Sequence, residues 1–234
     1  MLGVLSFGFL IGMRHALEAD HMAAVACLAT RGRSLRQVVG MGAVWGLGHT
    51  LTLFVFGTVV LALDSVVPER LAGLLETAVG VMLVGLGLSV LWRLLRDRVH
   101  FHSHRHGAEQ VHFHAHSHRG EGDHAASPHH HAHATGFPWR ALAVGVMHGM
   151  AGSAALVLLT ANAVGSLLAG IAYILLFGFG SIVGMAALSA VIAVPLGTAA
   201  RRLTWSYNGL QACIGAGTVA FGVVVIVGGA AAWG

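Results

Sequence analysis

Charge is scarce in this sequence. Only 9% of its 234 residues are Asp, Glu, Lys or Arg, against about 25% in soluble domains. Lysine is absent, so all thirteen basic residues are arginine. With 56% apolar residues, this composition excludes an ordinary soluble domain. The pI of about 10.0 does not indicate nucleic acid, because the arginines form no cluster on a soluble face. Cysteine is nearly missing too. Cys27 and Cys213 lie in apolar runs and share no metal or redox spacing, which excludes a thiolate site and leaves them as small core residues. No His-Glu-x-x-His helix occurs, so the usual helical plan of a metallohydrolase is absent, and an enzyme is not expected.

What the chain does have is apolar runs long enough to cross a bilayer. Six are present, Leu2–Leu28, Val38–Leu63, Leu71–Leu95, Ala141–Val164, Leu167–Leu196 and Leu210–Trp233, each near or above the ~20 residues a span requires. The expected fold is an all-α polytopic membrane protein. Its expected parts are a first membrane unit over 1–95, a histidine-rich segment over 96–139 and a second membrane unit over 140–234. The middle segment holds thirteen of the seventeen histidines, alternating as His100, His102, His104, His106 and again as His112, His114, His116, His118. That is a metal-binding composition with too little apolar surface to fold alone, and it is expected to be disordered.

The first run carries five ionisable residues in Gly12-Met13-Arg14-His15-Ala16-Leu17-Glu18-Ala19-Asp20-His21. A signal peptide places its charge before the apolar core, whereas Arg14 lies in the middle. Mutual neutralisation of Arg14 by one acid leaves the two imidazoles and a carboxylate without a role. Ionisable residues within a span mark a site or an ion path, and nitrogen with oxygen ligands suits Ni²⁺, Co²⁺ or Zn²⁺. On a straight helix His15, Glu18 and Met22 share a face while Asp20 points away. His15, Asp20 and His21 therefore cannot reach one ion unless the helix breaks near the motif or another segment completes the site. His49, between glycines in Gly46-Leu47-Gly48-His49-Thr50, is the expected fourth ligand or a partner of one. Arg14, Glu18, Glu76, His148 and Ser181 are candidates for positions behind the ligands or along the path. Glu76 could pair with Arg14 or carry a proton.

The second half echoes the first. Gly12-Met13-Arg14-His15 matches Gly145-Val146-Met147-His148, and Gly46-Leu47-Gly48-His49 matches Gly178-Phe179-Gly180-Ser181. Leu75-Glu76 with Gly80 matches Leu210-Gln211 with Gly215. A unit of three spans inserts its second copy upside down, so two inverted three-helix repeats are expected. Arginine then sets the orientation. The loops bearing Arg31, Arg33 and Arg36, Arg96, Arg98 and Arg140, and Arg201 and Arg202 share one face, which the positive-inside rule makes cytoplasmic. Both termini are expected outside and the histidine-rich segment inside.

His15-Ala16-Leu17-Glu18-Ala19-Asp20-His21 has the form His-x4-Asp-His and resembles the signature of the nickel/cobalt transporter (NiCoT) family. Leu47-Gly48-His49-Thr50 is similar to that family's Leu-Gly-His-Ser/Thr motif, and Phe177-Gly178-Phe179-Gly180-Ser181 with Gly184 to its late glycine-rich motif. Longer members have eight spans, so this chain looks more like the shorter branch that includes urease-linked nickel permeases. The resemblance implies uptake of Ni²⁺ or Co²⁺ across the inner membrane as transported substrate, not cofactor, with His15, Asp20, His21 and His49 as metal-site residues. It also implies delivery to cytoplasmic nickel chaperones or urease maturation proteins. Exporters of the wider superfamily share a central histidine-rich loop, which keeps export as an alternative. A membrane-anchored metal sensor or store is a further one.

Overall fold

The computed structural model describes residues 2–30, 34–63, 68–97, 100–106, 110–116, 137–149, 166–202 and 204–231. Its helices are α1 (Leu2–His15), α2 (Ala19–Ala29), α3 (Leu35–Ala62), α4 (Glu69–Asp97), α5 (Trp139–His148), α6 (Leu167–Arg202) and α7 (Thr204–Ala231). A single antiparallel ribbon joins β1 (His100–His106) to β2 (Gln110–His116).

Four of these helices, α3, α4, α6 and α7, are long and apolar enough to cross a membrane. The 28 residues of α3 rise about 42 Å at ~1.5 Å each, more than the ~30 Å of hydrocarbon. Their outward faces are apolar, with Leu51, Val55 and Val59 exposed on α3, Val81 and Leu88 on α4, and Val223, Val224 and Val227 on α7. So extended an apolar surface suits lipid and not water. The chain is a helical membrane protein.

The first apolar run does not form one helix. After α1 the backbone tightens into i→i+3 bonds, Leu17 N–H to Arg14 O at 2.9 Å and Glu18 N–H to His15 O at 3.0 Å. Glu18 then adopts an extended conformation (φ −64°, ψ 147°) and α2 starts afresh at Ala19. Arg14 and His15 sit at the C-terminus of α1, and Asp20 sits in the first turn of α2. Each sign therefore meets the helix end whose dipole favours it. The fourth run also stops at a histidine: α5 ends at His148, and Gly149 N–H caps it by bonding Gly145 O at 2.9 Å. The remainder of that run, with Ser153 and Ala154, lies outside the described residues, as do Arg31, Arg33 and His118.

Packing is organised around α3 and α6, which lie against each other. α1 packs on α6, α5 packs on α3, and α4 pairs with α7. Glycine allows these approaches. A Cβ on Gly12 would collide with the Phe177 carbonyl, and one on Gly145 with the Trp45 carbonyl. Between α4 and α7, a Cβ on Gly80 would come 2.8 Å from Gly222 O, and one on Gly87 would come 2.6 Å from Gly215 O. Such contacts between small residues hold membrane helices together by close backbone approach. The core at the centre gathers Ala16, Val25, Trp45, Leu83 and Met185.

Within the histidine-rich segment the structure describes the two strands of this ribbon, 100–106 and 110–116, and the rest of 98–136 lies outside the described residues. Histidine at every second position is a period-two pattern, which is the periodicity of a strand.

Candidate metal centre

The break between α1 and α2 brings His15 and His21 to the same point from opposite sides of a turn. Their rings meet edge to face with centroids 4.2 Å apart. His49, mid-way along α3, completes the group with its ring 5.1 Å from His15 and 5.2 Å from His21. One ring nitrogen from each of the three lies within 4.8 Å of the others. All are sealed from solvent, at 4%, 0% and 2% exposure.

The ring nitrogens are already sorted. His15 Nδ1 lies 2.9 Å from Glu18 Oε1, which leaves Nε2 facing inward, 3.2 Å from His49 Nε2. Two nitrogens bound to one ion at ~2.1 Å stand about 3.0–3.4 Å apart, from square to tetrahedral geometry. His21 Nδ1 lies 2.9 Å from Asp20 Oδ1, and its Nε2 is buried with no hydrogen-bond partner among the described residues. An unpaired buried nitrogen is costly in a membrane interior unless something binds it. His49 Nδ1 is likewise without a hydrogen-bond partner among the described residues. The arrangement is a set of imidazoles with open nitrogens, two of them backed by carboxylates. A carboxylate behind a histidine fixes the tautomer and makes the inward nitrogen a better donor.

Asp20 thus stands apart from the inner cluster. Oδ1 also accepts from the His21 backbone N–H at 2.8 Å, and Oδ2 lies 2.8 Å from Nε2 of His148. Asp20, His21 and His148 form a second close group that shares His21 with the first. The four residues expected around one ion are therefore divided between two adjoining triads. His148 joins the outer one more intimately than its sequence setting suggests, with its ring 4.4 Å from His21.

Other candidates fall into place around this centre. Ser181 is buried and donates to Gly12 O at 3.2 Å, tying α6 to the end of α1. Arg14 is exposed and Glu76 is half-buried on α4. Among the described residues neither makes an ion pair, so a bond between them is not observed.

Over 204 residues the chain is 33% identical to the urease accessory protein UreH of Bacillus sp. (strain TB-90), covering 87% of this chain and 82% of that protein. The chain belongs to the UreH family. Two chloroplast proteins of Arabidopsis thaliana are also similar. FOR GROWTH AND FERTILITY 1 is 30% identical over 187 residues, and FOR GROWTH AND FERTILITY 2 is 27% identical over 179. The chain spans 48% and 44% of their lengths, less than half of each. No family model and no solved structure matches the chain.

Two residues of this UreH-family chain were not singled out from sequence. Trp45 packs its ring 5.3 Å from His21 and 5.6 Å from His148, and Phe177 lies 5.2 Å from His15. Both are fully buried and wall the imidazoles on two sides. A signal existed in each case: Trp45 is one helical turn before His49, and Phe177 one turn before Ser181.

Proposed function

We propose that this UreH-family protein is a permease that takes up Ni²⁺, or Co²⁺, through the buried histidine centre by alternating access. The observation that carries this reading is the convergence of His15, His21 and His49, from a broken helix and a neighbouring span, on one solvent-free point. Nitrogen donors of this kind suit first-row transition ions and not Mg²⁺ or Ca²⁺. The ligands are imidazoles, and the carboxylates of Glu18 and Asp20 stand one ring further back. That set attracts a dication without closing a full anionic cage around it, so the ion can leave again, as conduction requires. The name of the Bacillus relative links it to urease, a nickel enzyme, which favours nickel as the substrate and urease maturation proteins as recipients.

The transport reading includes six spans arranged as two inverted three-helix repeats, with α1–α2 counted as one interrupted span and α5 belonging to another. Contacts support it. Gly12 approaches Phe177 O as Gly145 approaches Trp45 O, and Gly80 approaches Gly222 as Gly215 approaches Gly87. The partners in each comparison are related by shifts of 132 to 135 positions (145 − 12 = 133, 177 − 45 = 132, 215 − 80 = 135). Rocking of such halves about a fixed central site is how many transporters alternate access. The protein then lies in the inner membrane with both termini outside and the histidine-rich segment in the cytoplasm.

Metal accumulation in cells expressing the wild type, His15→Ala or His49→Ala, against a panel of divalent ions, tests this reading. Nickel or cobalt content should rise only with the wild type. Metal content that falls below the vector control identifies an exporter. Equal content in all strains, with each protein inserted, overturns transport by this site.

A further inference from the structure

The two faces of α1 differ. Gly8 and Gly12 lie against Tyr173 and Phe177 of α6, and His15 and Ala16 are buried on the same side. The other face carries Phe7, Leu10 and Arg14, with Leu17 in the turn that follows, and all four are exposed. They succeed one another in steps of three, four and three residues, the a/d alternation by which a helix packs along a parallel copy of itself. Glu18 comes next, with its side chain 48% exposed.

Charge at this depth sets that face apart. With 14 and 11 residues, α1 and α2 rise about 21 and 16 Å at ~1.5 Å each, so the break between them falls near the middle of a ~30 Å hydrocarbon layer. Among the described residues the other exposed charges, Arg36, Glu69, Arg70, Arg96 and Arg140, sit in the terminal turns of α3, α4 and α5, where the chain enters or leaves the bilayer. A guanidinium turned to lipid at mid-depth is costly. In the matching tetrapeptide Gly145-Val146-Met147-His148 the exposed residue is Met147, which lipid accepts. Arg14 and Glu18 are four residues apart, a spacing that pairs opposite charges on an unbroken helix, yet the break leaves them unpaired. One oxygen of Glu18 is 2.9 Å from His15 Nδ1. No other bond to that carboxylate, and none to the Arg14 guanidinium, is present among the described residues.

We propose that this face is the contact between two copies of the chain, in which Arg14 of each copy bonds Glu18 of the other. A twofold axis along the membrane normal sets two α1 helices parallel, with Phe7, Leu10 and Leu17 along the seam. A symmetric interface repeats each contact, so both ion pairs form together and no charge is left facing lipid. A polar residue at one a position of such a seam also fixes its register. Because Glu18 backs His15, Arg14 of the second copy completes the surroundings of each buried centre. The inference rests on α1–α2 crossing the membrane, and not on what is transported or in which direction.

The full chain lacking Cys27 and Cys213 and carrying Leu10→Cys tests this in native membranes. A short bis-maleimide should link it into dimers, while Val224→Cys on the exposed face of α7 stays monomeric, and an impermeant thiol reagent should label Leu10→Cys from neither side. Arg14→Glu or Glu18→Arg, each added alone, should lower the dimer association constant by about 100-fold, because the facing charges become alike. Co-expressed under different tags, these two variants should link to each other as well as the unaltered chain links to itself, since every acid then faces an arginine across the seam. A pair formed within one chain cannot give that recovery. Absence of linkage at Leu10→Cys without labelling puts the face in lipid, and labelling by the impermeant reagent puts it in a water-filled vestibule. Either result, equal linkage at Leu10→Cys and Val224→Cys, or no recovery on co-expression with both variants inserted, overturns the proposal. Leu10→Cys in the otherwise native sequence keeps the test decisive if a charge variant does not insert. Metal accumulation that fails while linkage holds would overturn transport alone.

Discussion

Replacing Asp20 by Asn separates a ligand from a residue that holds a ligand. In the structure Oδ1 of Asp20 bonds His21 Nδ1 at 2.9 Å and Oδ2 bonds His148 Nε2 at 2.8 Å. Asparagine keeps the shape and one acceptor oxygen, so His21 retains its neighbour but loses the anion. A hydrogen bond to a charged acceptor contributes about 1.5–3 kcal/mol and a neutral one about 0.5–1.5, a difference near 1 kcal/mol for each imidazole. Two such bonds give about 2 kcal/mol, or about 30-fold in affinity at 1.4 kcal/mol per decade. That falls inside the ~10–100-fold range known for groups standing behind metal ligands. Titration of purified protein with Ni²⁺ should therefore show Asp20→Asn binding the same number of ions in the buried centre with Kd raised about 30-fold. The ribbon histidines should be replaced by alanine for this measurement. In the same assay His21→Ala, which removes the shared ring itself, should abolish that site. If Asp20→Asn leaves no binding even at nickel levels a thousand times the wild-type Kd, the carboxylate is itself a ligand and the division into two triads is wrong. Affinity within threefold of wild type would refute the supporting role.

Three further outcomes are expected. Gly12→Ala and Gly145→Ala should each destabilise the folded protein by about 1–3 kcal/mol through overpacking, because the added Cβ meets a backbone carbonyl. Gly40→Ala, where nothing lies within 4 Å, should leave the thermal midpoint in detergent unchanged. In a background lacking Cys27 and Cys213, single cysteines at Arg36 and Arg70 should react with an impermeant reagent from opposite sides of the membrane, Arg36→Cys from the cytoplasm. Labelling from the same side would remove the inverted topology. Deletion of 100–133 should preserve initial uptake rates and metal preference in oriented vesicles while lowering the metal retained; loss of transport at every nickel concentration would make the segment part of the path.

The helical membrane character needed no coordinates. It follows from hydropathy and from the scarcity of charge, because backbone polar groups in lipid must be satisfied within helices. The need for a break in the first run was also local information: a 3.6-residue period cannot bring His15, Asp20 and His21 to one point. Histidines in a span are rare enough that His15, His21, His49 and His148 could be selected as candidates one by one. The alternation of histidine from His100 to His106 was likewise visible as a pattern.

Tertiary structure decided the partners. Which nitrogen of each imidazole is open depends on the turn between α1 and α2, which sets Glu18 against Nδ1 of His15 and Asp20 against Nδ1 of His21. Nothing local places His148, 128 positions away, on the second oxygen of Asp20. Trp45 and Phe177 become walls of the centre only when α3 and α6 close against the broken helix. The same holds for the ribbon, whose period was written in the sequence but whose register was not: opposite pairing of His102 with His114 requires a turn of the right length between two strands. Ligand types are a property of residues, which a sequence displays. A metal centre is a property of distances between residues far apart in the chain, and those are fixed only when the helices pack.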